Sequence, residues 1–239
     1  MTPLPKRPIV DVVIPALDEE DALGEVIAAI PAAVRRVVVA DNGSTDRTAA
    51  VAEAAGAVVV HEPERGYGAA CLTALAYLAA DPPDVVVFLD GDGSDDPSDL
   101  AALLAPLQAG AQLVIGSRTR GESERGSLTA PQRVGNALAC RWIQWVYGER
   151  FSDLGPFRAV RWESLRALEL RDRNWGWTVE MQLAAARHGL RCAEVPVRYR
   201  NRRGGRSKVS GTVRGSVSAG AKILWVLARE TLRPRGATS

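Results

Sequence analysis

Five short runs rich in Val and Ile, at residues 9–15, 35–40, 57–61, 84–89 and 113–116, alternate with segments of helical spacing at 19–30, 46–55, 67–80 and 98–108. Runs that are apolar at nearly every position fit strands buried on both faces. Their alternation with helices builds a mostly parallel sheet covered on both sides. The predicted class is α/β, with a Rossmann-like central sheet. Ser98 followed by Asp99, and Thr45 or Asp46, are placed to start their helices.

Beyond residue 116 the pattern changes. Residues 116–133 are polar and rich in Gly, Ser and Arg, and a loop of that length inside a domain is functional or mobile as a rule. A helix follows at 132–147, carrying Trp142 and Trp145. A turn at Asp153 leads into a short strand ending near 160, and a second helix spans 177–188. The strand expected at 192–199 contains Pro196, which has no N–H for a central ladder and belongs at an edge or bulge. A last amphipathic helix spans 212–229. These elements divide the chain into a domain over residues 1–211 and a C-terminal amphipathic helix and tail over 212–239.

Composition enters mainly as a set of exclusions. The 239 residues carry a formal charge of only +2, which removes a global argument for nucleic acid. Cys71, Cys140 and Cys192 are odd in number and far apart, so they are expected as buried free thiols in a reducing compartment. The short polar start does not resemble a signal peptide, and no apolar run approaches the ~20 residues of a spanning helix. The expected location is cytoplasmic, or peripheral on the inner face of the membrane.

Ligands of open parallel sheets sit beyond the carboxyl ends of the strands, and these ends are loaded with polar residues. The first carries Asp18-Glu19-Glu20, the second Asp41-Asn42-Gly43-Ser44-Thr45-Asp46, and the third Arg65-Gly66-Tyr67-Gly68. The fourth carries Asp90-Gly91-Asp92-Gly93-Ser94-Asp95-Asp96, whose four carboxylates repel one another unless a cation or a basic partner compensates. Asp90 and Asp92, two apart with a glycine between, can turn to one side of a loop and hold a hard divalent ion with positions open for a diphosphate. Oxygen donors without His or Cys point to Mg²⁺ or Mn²⁺. Arg198, Arg200, Arg202, Arg203 and Arg206, with Lys208 just beyond and Gly204-Gly205 between, read as a loop able to wrap an anion. Gly66-Tyr67-Gly68 lacks the third glycine of a dinucleotide fingerprint and fits a helix N-terminus with a close backbone approach.

Taken together these segments resemble glycosyltransferase family 2, the inverting GT-A enzymes, and within it the polyprenol-phosphate mannosyl- and glucosyltransferase group. The resemblance continues through Ile115-Gly116-Ser117-Arg118, Asp153-Leu154-Gly155-Pro156-Phe157-Arg158, Glu180, Glu194-Val195-Pro196-Val197 and Gly205-Arg206-Ser207-Lys208, and covers roughly residues 9–210. It implies a GT-A sheet with a C-terminal acceptor-side extension, and a nucleoside held by Pro15, Ala16, Leu17, Glu19 and Asp41, with Asp41 on the base and Glu19 on the ribose. Asp90, Gly91 and Asp92 would approach the ribose and the metal-bound diphosphate, with Arg65, Gly66 and Gly68 beside the donor. Leu17-Asp18 stands where many members carry an aromatic and Asn, which implies weaker base stacking. Ser94 stands where dolichol-phosphate enzymes often place Gln.

The resemblance implies a donor that is a UDP- or GDP-linked sugar and an acceptor that is a phosphate monoester, already anionic and able to attack the anomeric carbon without a strong base. Arg118, Arg133, Arg202, Arg206 and Lys208 are the cations expected to hold two phosphate-bearing reactants together. A hydroxyl acceptor, as in a soluble small-molecule pathway, would instead need a carboxylate base, for which Asp153 and Glu180 are the candidates. A sugar-phosphate nucleotidyltransferase should carry a Gly-rich basic loop after the first strand, and here that loop is acidic. A non-catalytic nucleotide-sugar-binding subunit should show a damaged Asp pair. The last helix, and the tryptophans 142, 145, 175 and 177, fit peripheral membrane contact, packing against the domain, or a homodimer.

Overall fold

The computed structural model describes residues 3–203, 225–229 and 231. Seven strands form one sheet in the order β3-β2-β1-β4-β6-β5-β7. In chain order the elements are β1 (Val10–Ala16), α1 (Leu23–Ala28), β2 (Arg36–Asp41), α2 (Thr48–Ala54), β3 (Val58–His61), α3 (Tyr67–Leu78), β4 (Val85–Phe88), α4 (Leu100–Gln108), β5 (Leu113–Ser117), α5 (Ala130–Tyr147), β6 (Arg158–Arg161), α6 (Trp162–Ala167), α7 (Trp177–Arg187) and β7 (Cys192–Pro196). β1 pairs in parallel with both β2 and β4, so the chain winds outward in both directions from β1. β6 is the exception: it enters between β4 and β5 and runs antiparallel to both. β7 pairs with β5 alone, which gives Pro196 the edge position its missing N–H requires.

The strand alternation sorts the core into two layers. Val13, Val86 and Phe88 face α3, α5, α6 and α7. Val12, Ile14, Val85, Val87 and Leu89 face α1, α2 and α4. A strand with apolar residues on both faces can sit only where both faces are covered. Phe88 anchors the first layer edge-on to Trp177, with ring centroids 6.1 Å apart.

Local starts differ from expectation in two places. The turn before α4 is a short 3₁₀ segment, Pro97–Asp99, capped by Asp96, whose carboxylate accepts from the Ser98 N–H at 3.1 Å. Asp99 is drawn away to Arg198, whose NH2 lies 2.6 Å from its Oδ1, because a charge-assisted pair outcompetes an exposed cap. The first helix begins at Leu23 rather than at 19. The Glu19 N–H donates to Thr48 Oγ1 at 2.8 Å, and that bond fixes the preceding loop in a non-helical path. Asp46 lies one residue before the N-cap position, which is Arg47, and its carboxylate accepts from the Thr48 N–H at 2.9 Å. Among the described residues no helix is long and apolar enough to cross a membrane.

At the amino end of the sheet, fully buried Asp11 accepts from Arg35 at 2.7 Å and Arg36 at 2.9 Å, tying β1 to β2. Both arginines also pair with Asp81, so removing Asp11 leaves them one anion while breaking their buried bonds to β1. Asp11→Ala is therefore expected to lower unfolding stability by about 2 kcal/mol, read as a shift in urea midpoint at unchanged slope.

Candidate active site

The reversal of winding between β1 and β4 opens a cavity of about 630 Å³ at the carboxyl ends of these strands. One wall is the loop after β1. Pro15, Ala16, Leu17 and Glu19 line it. Asp18 adopts the left-handed conformation with φ 49°, which Asp tolerates better than most residues. Its N–H donates to Ser44 Oγ at 2.9 Å and its carboxylate accepts from the Thr45 N–H at 2.7 Å, so the first two strand-end loops hold each other. Asn42 continues this wall and accepts from the Gly66 N–H at 2.7 Å.

The acidic loop forms the base of the cavity. Asp92 Oδ1 accepts from the Ser94 N–H at 2.9 Å, and Oδ2 accepts from Arg202 at 2.8 Å. The same Arg202 donates to Glu19 Oε1 at 3.0 Å and so spans two strand-end loops. Arg200 pairs with Asp96 at 2.6 Å, Arg198 with Asp96 at 3.2 Å, and Arg203 with Glu25. The basic segment 198–203 therefore lies along the acidic one and compensates Asp92 and Asp96. Among the described residues it makes no ion pair with Asp90, although the Arg202 charge acts on that carboxyl, whose Oδ1 accepts from the Tyr67 hydroxyl at 3.1 Å. Nor does it reach Asp95, a buried carboxylate with both oxygens unpartnered. Burial, and then the Asp92 charge, push Asp90 up to about 7, and burial followed by Asp90 pushes Asp95 well up. Excess negative charge on hard oxygens fits a divalent cation. Among the described residues no three His, Cys, Asp or Glu side chains converge as a ligand set.

The opposite wall is cationic. Arg118 is clamped by buried Asp153 through two parallel bonds of 2.8 Å, and its guanidinium lies 5.1 Å from the Tyr199 ring centroid. Burial opposes the Arg118 charge, but Asp153 outweighs it and the pKa is raised. Behind it, fully buried Arg158 donates to the carbonyls of Gly155 and Thr178 and has no carboxylate among these partners. Burial pushes its pKa down to about 10. The rim is built by Ser127, Thr129 and Gln132 at the start of α5 and by Asn174, Trp175 and Thr178 before and at the start of α7.

Of the residues expected from sequence, Pro15, Ala16, Leu17, Glu19, Arg65, Gly66, Asp90, Gly91, Asp92, Arg118 and Arg202 converge on this cavity. Others lie outside its wall. Asp41 is buried behind it, accepting from the Ser44 N–H at 3.1 Å with His61 Nδ1 3.2 Å away. Gly68 approaches the chain's own backbone: a Cβ there would sit 1.8 Å from the Asp172 carbonyl oxygen. The Gly68 and Ala69 N–H groups donate to the Asn174 and Arg173 carbonyls, so the first turn of α3 is capped by the 172–174 segment. Arg133 is exposed, Asp153 sits behind Arg118, and fully buried Glu180 accepts from the Arg171 and Asp172 N–H groups and from Arg229 at 2.7 Å. Arg206 and Lys208 lie outside the described residues. Sequence reading overlooked Tyr199, Thr129, Gln132, Asn174 and Thr178 as cavity residues, whereas Arg200, expected in an anion-wrapping loop, does line the cavity. The long polar stretch 116–133 was the one signal pointing toward the rim.

A cavity at the switch point of a parallel sheet, with a paired carboxylate base facing clamped arginines, is the architecture of enzymes that bind nucleoside diphosphates. The family model described as glycosyl transferase family 2 matches residues 11–187, and the chain belongs to that family. Its sheet has the GT-A arrangement and the protein is a glycosyltransferase. A sequence named an uncharacterized glycosyltransferase of Mycobacterium tuberculosis is 43% identical over 210 residues, covering 88% of this chain and 94% of that one. A dolichyl-phosphate hexose transferase of Haloferax volcanii is 34% identical, covering 93% of this chain and 95% of the other. Glucosyl-3-phosphoglycerate synthase from Mycobacterium tuberculosis, solved with Mn²⁺, UDP and glucosyl-3-phosphoglycerate, superposes with a TM-score of 0.73 at 26% identity, covering 96% of this chain and 82% of that chain.

Two outcomes test the electrostatics. Asp153→Ala leaves the half-buried Arg118 guanidinium without its anion, and unfolding stability should fall by about 3–5 kcal/mol in chemical denaturation. Asp96 is held below the usual carboxylate range: burial acts against this, but Ser98 and then Arg198 and Arg200 overcome it. A depressed folded pKa gives stability that is complete above the unfolded value, about 4, and lost as pH falls through the folded value. Asp96→Asn should lower the melting temperature at neutral pH and flatten its decline below about pH 4.

Proposed function

We propose that this glycosyltransferase moves a hexose, with inversion, from a UDP- or GDP-linked sugar to the phosphate of a polyprenyl phosphate. In this reading residues 1–211 are the catalytic unit and 212–239 an accessory segment on a protein peripheral to the membrane. The observation that carries it is the disposition of carboxylates. Asp90 and Asp92 face the cavity, whereas Asp153 and Glu180, the two candidates for a general base, are buried and bound to arginines. An acceptor that is already an anion needs no such base. Its attack forms the bond from a phosphate oxygen to the anomeric carbon as the bond to the nucleoside diphosphate breaks, and the electron pair leaves with the diphosphate.

Asp90 and Asp92 are the residues that would hold Mg²⁺ or Mn²⁺. When bound, that ion offsets charge on the departing diphosphate. Glu19 and Leu17 lie where a nucleoside would rest on the first wall, with Arg65 and Gly66 beside it. Arg118 and Arg202 arrive preoriented by Asp153 and by the Asp92–Glu19 pair, so they can meet phosphate oxygens with little reorganisation. The dolichyl-phosphate hexose transferase similarity supports the lipid-phosphate acceptor. A soluble phosphate-bearing acceptor is the second reading, favoured by the superposition on glucosyl-3-phosphoglycerate synthase.

The test incubates the protein with UDP-, GDP- and dTDP-sugars, Mg²⁺ or Mn²⁺, and either a short prenyl phosphate or 3-phosphoglycerate, and measures released nucleoside diphosphate. Release should require the prenyl phosphate, vanish with chelator, and fall about 10³-fold in Asp92→Ala, the scale of losing several kcal/mol of charge stabilisation. Release with 3-phosphoglycerate alone would establish the second reading. Failure to bind any nucleotide sugar would overturn both.

A further inference from the structure

α5 starts at the cavity and runs away from it along the surface. Its N-cap Thr129 and its residue Gln132 line the rim, and its 18 residues extend about 27 Å at 1.5 Å per residue. Only Ala139, Cys140 and Ile143 are buried. On the other side Val134, Leu138, Trp142 and Trp145 are 59, 58, 36 and 79% exposed, and steps of four, four and three place them on one stripe. The two indoles meet edge-on with centroids 5.6 Å apart. The helix contains no Asp or Glu, and its charged residues, Arg133 and Arg141, are both exposed. Beside it, Trp142 Nε1 donates to Thr231 Oγ1 at 3.2 Å, and the adjoining helical turn exposes Trp225 with the Arg229 guanidinium 4.7 Å from its ring centroid.

A contiguous apolar stripe on a surface marks an interaction site. Tryptophan and leucine flanked within the helix by arginine, with Glu149 just beyond its end, match the headgroup layer of a bilayer, where indoles sit at the boundary and guanidinium groups meet lipid phosphates. A second copy of this chain fits less well, because two like faces bring Arg133 and Arg141 against the same cations. We infer that the outer face of α5 docks the enzyme on a membrane carrying anionic lipids, and that this brings the cavity mouth to the bilayer surface. The inference rests on the polyprenyl-phosphate reading and deepens it: such an acceptor must bring its phosphate to the Asp90–Asp92 loop while its chain stays in lipid.

The experiment sediments the full chain with phosphatidylcholine vesicles, with and without phosphatidylglycerol. Binding should need the anionic lipid, weaken with salt and shift tryptophan emission to the blue. Trp145→Ser and Leu138→Ser should each weaken it, and Arg141→Gln should lower affinity about fivefold. Melting temperatures of these variants should match the parent, since the residues are exposed. Turnover of a short water-soluble prenyl phosphate should be unchanged, while turnover of polyprenyl phosphate embedded in vesicles falls with binding. Variants that bind vesicles as tightly as the parent, or a parent that ignores vesicles and dimerises through Trp145, would overturn the docking face and leave the proposed reaction standing. Vesicle binding lost in the variants, with no transfer to either acceptor by the parent, would support the docking face and sink the acceptor assignment.

Discussion

One side chain joins the two halves of the site. Arg202 donates to Asp92 and to Glu19, carboxylates from the loops after β4 and β1. A parallel sheet delivers its loops to one end, and here those loops are acidic, so the arrangement that makes a cavity also concentrates negative charge. The arginines at 198, 200, 202 and 203 counter that charge along one flank and, among the described residues, make no ion pair with Asp90 or Asp95. The remaining negative charge is what a divalent cation would offset.

The sheet was legible because its information is local. A strand such as Val10–Ala16, apolar on both faces, has few other places to go, and its neighbours alternate in the same way. The strand-end motifs were legible for the same reason: loop position follows from strand position. Pro196 even marked its own strand as an edge.

What stayed hidden depended on contacts between segments remote in sequence. Nothing local in Arg158–Arg161 says that the strand runs antiparallel between two others. Asp153 read as a candidate base because its 35-residue separation from Arg118 conceals their pairing. Glu180 read the same way, although its carboxylate organises the 171–172 backbone. The acidic cluster called for a cation or a basic partner, and only the fold shows that a chain segment about a hundred residues later is that partner for part of it.

The capping of α3 by the carbonyls of Arg173 and Asn174, together with the late arginines, bears on synthesis. A ribosome delivers the acidic loop and the amino end of α3 long before residues 172–203 emerge. Until then the helix start lacks its acceptors, the carboxylates lack their counter-charges, and β5 has no β7 along its outer edge. The nascent amino-terminal half is therefore an unfinished sheet with an exposed edge, open to pairing with other chains. The cavity wall carrying Tyr199, Arg200 and Arg202 arrives only with the last fifth of the described chain, so truncation there removes that wall and not merely a tail.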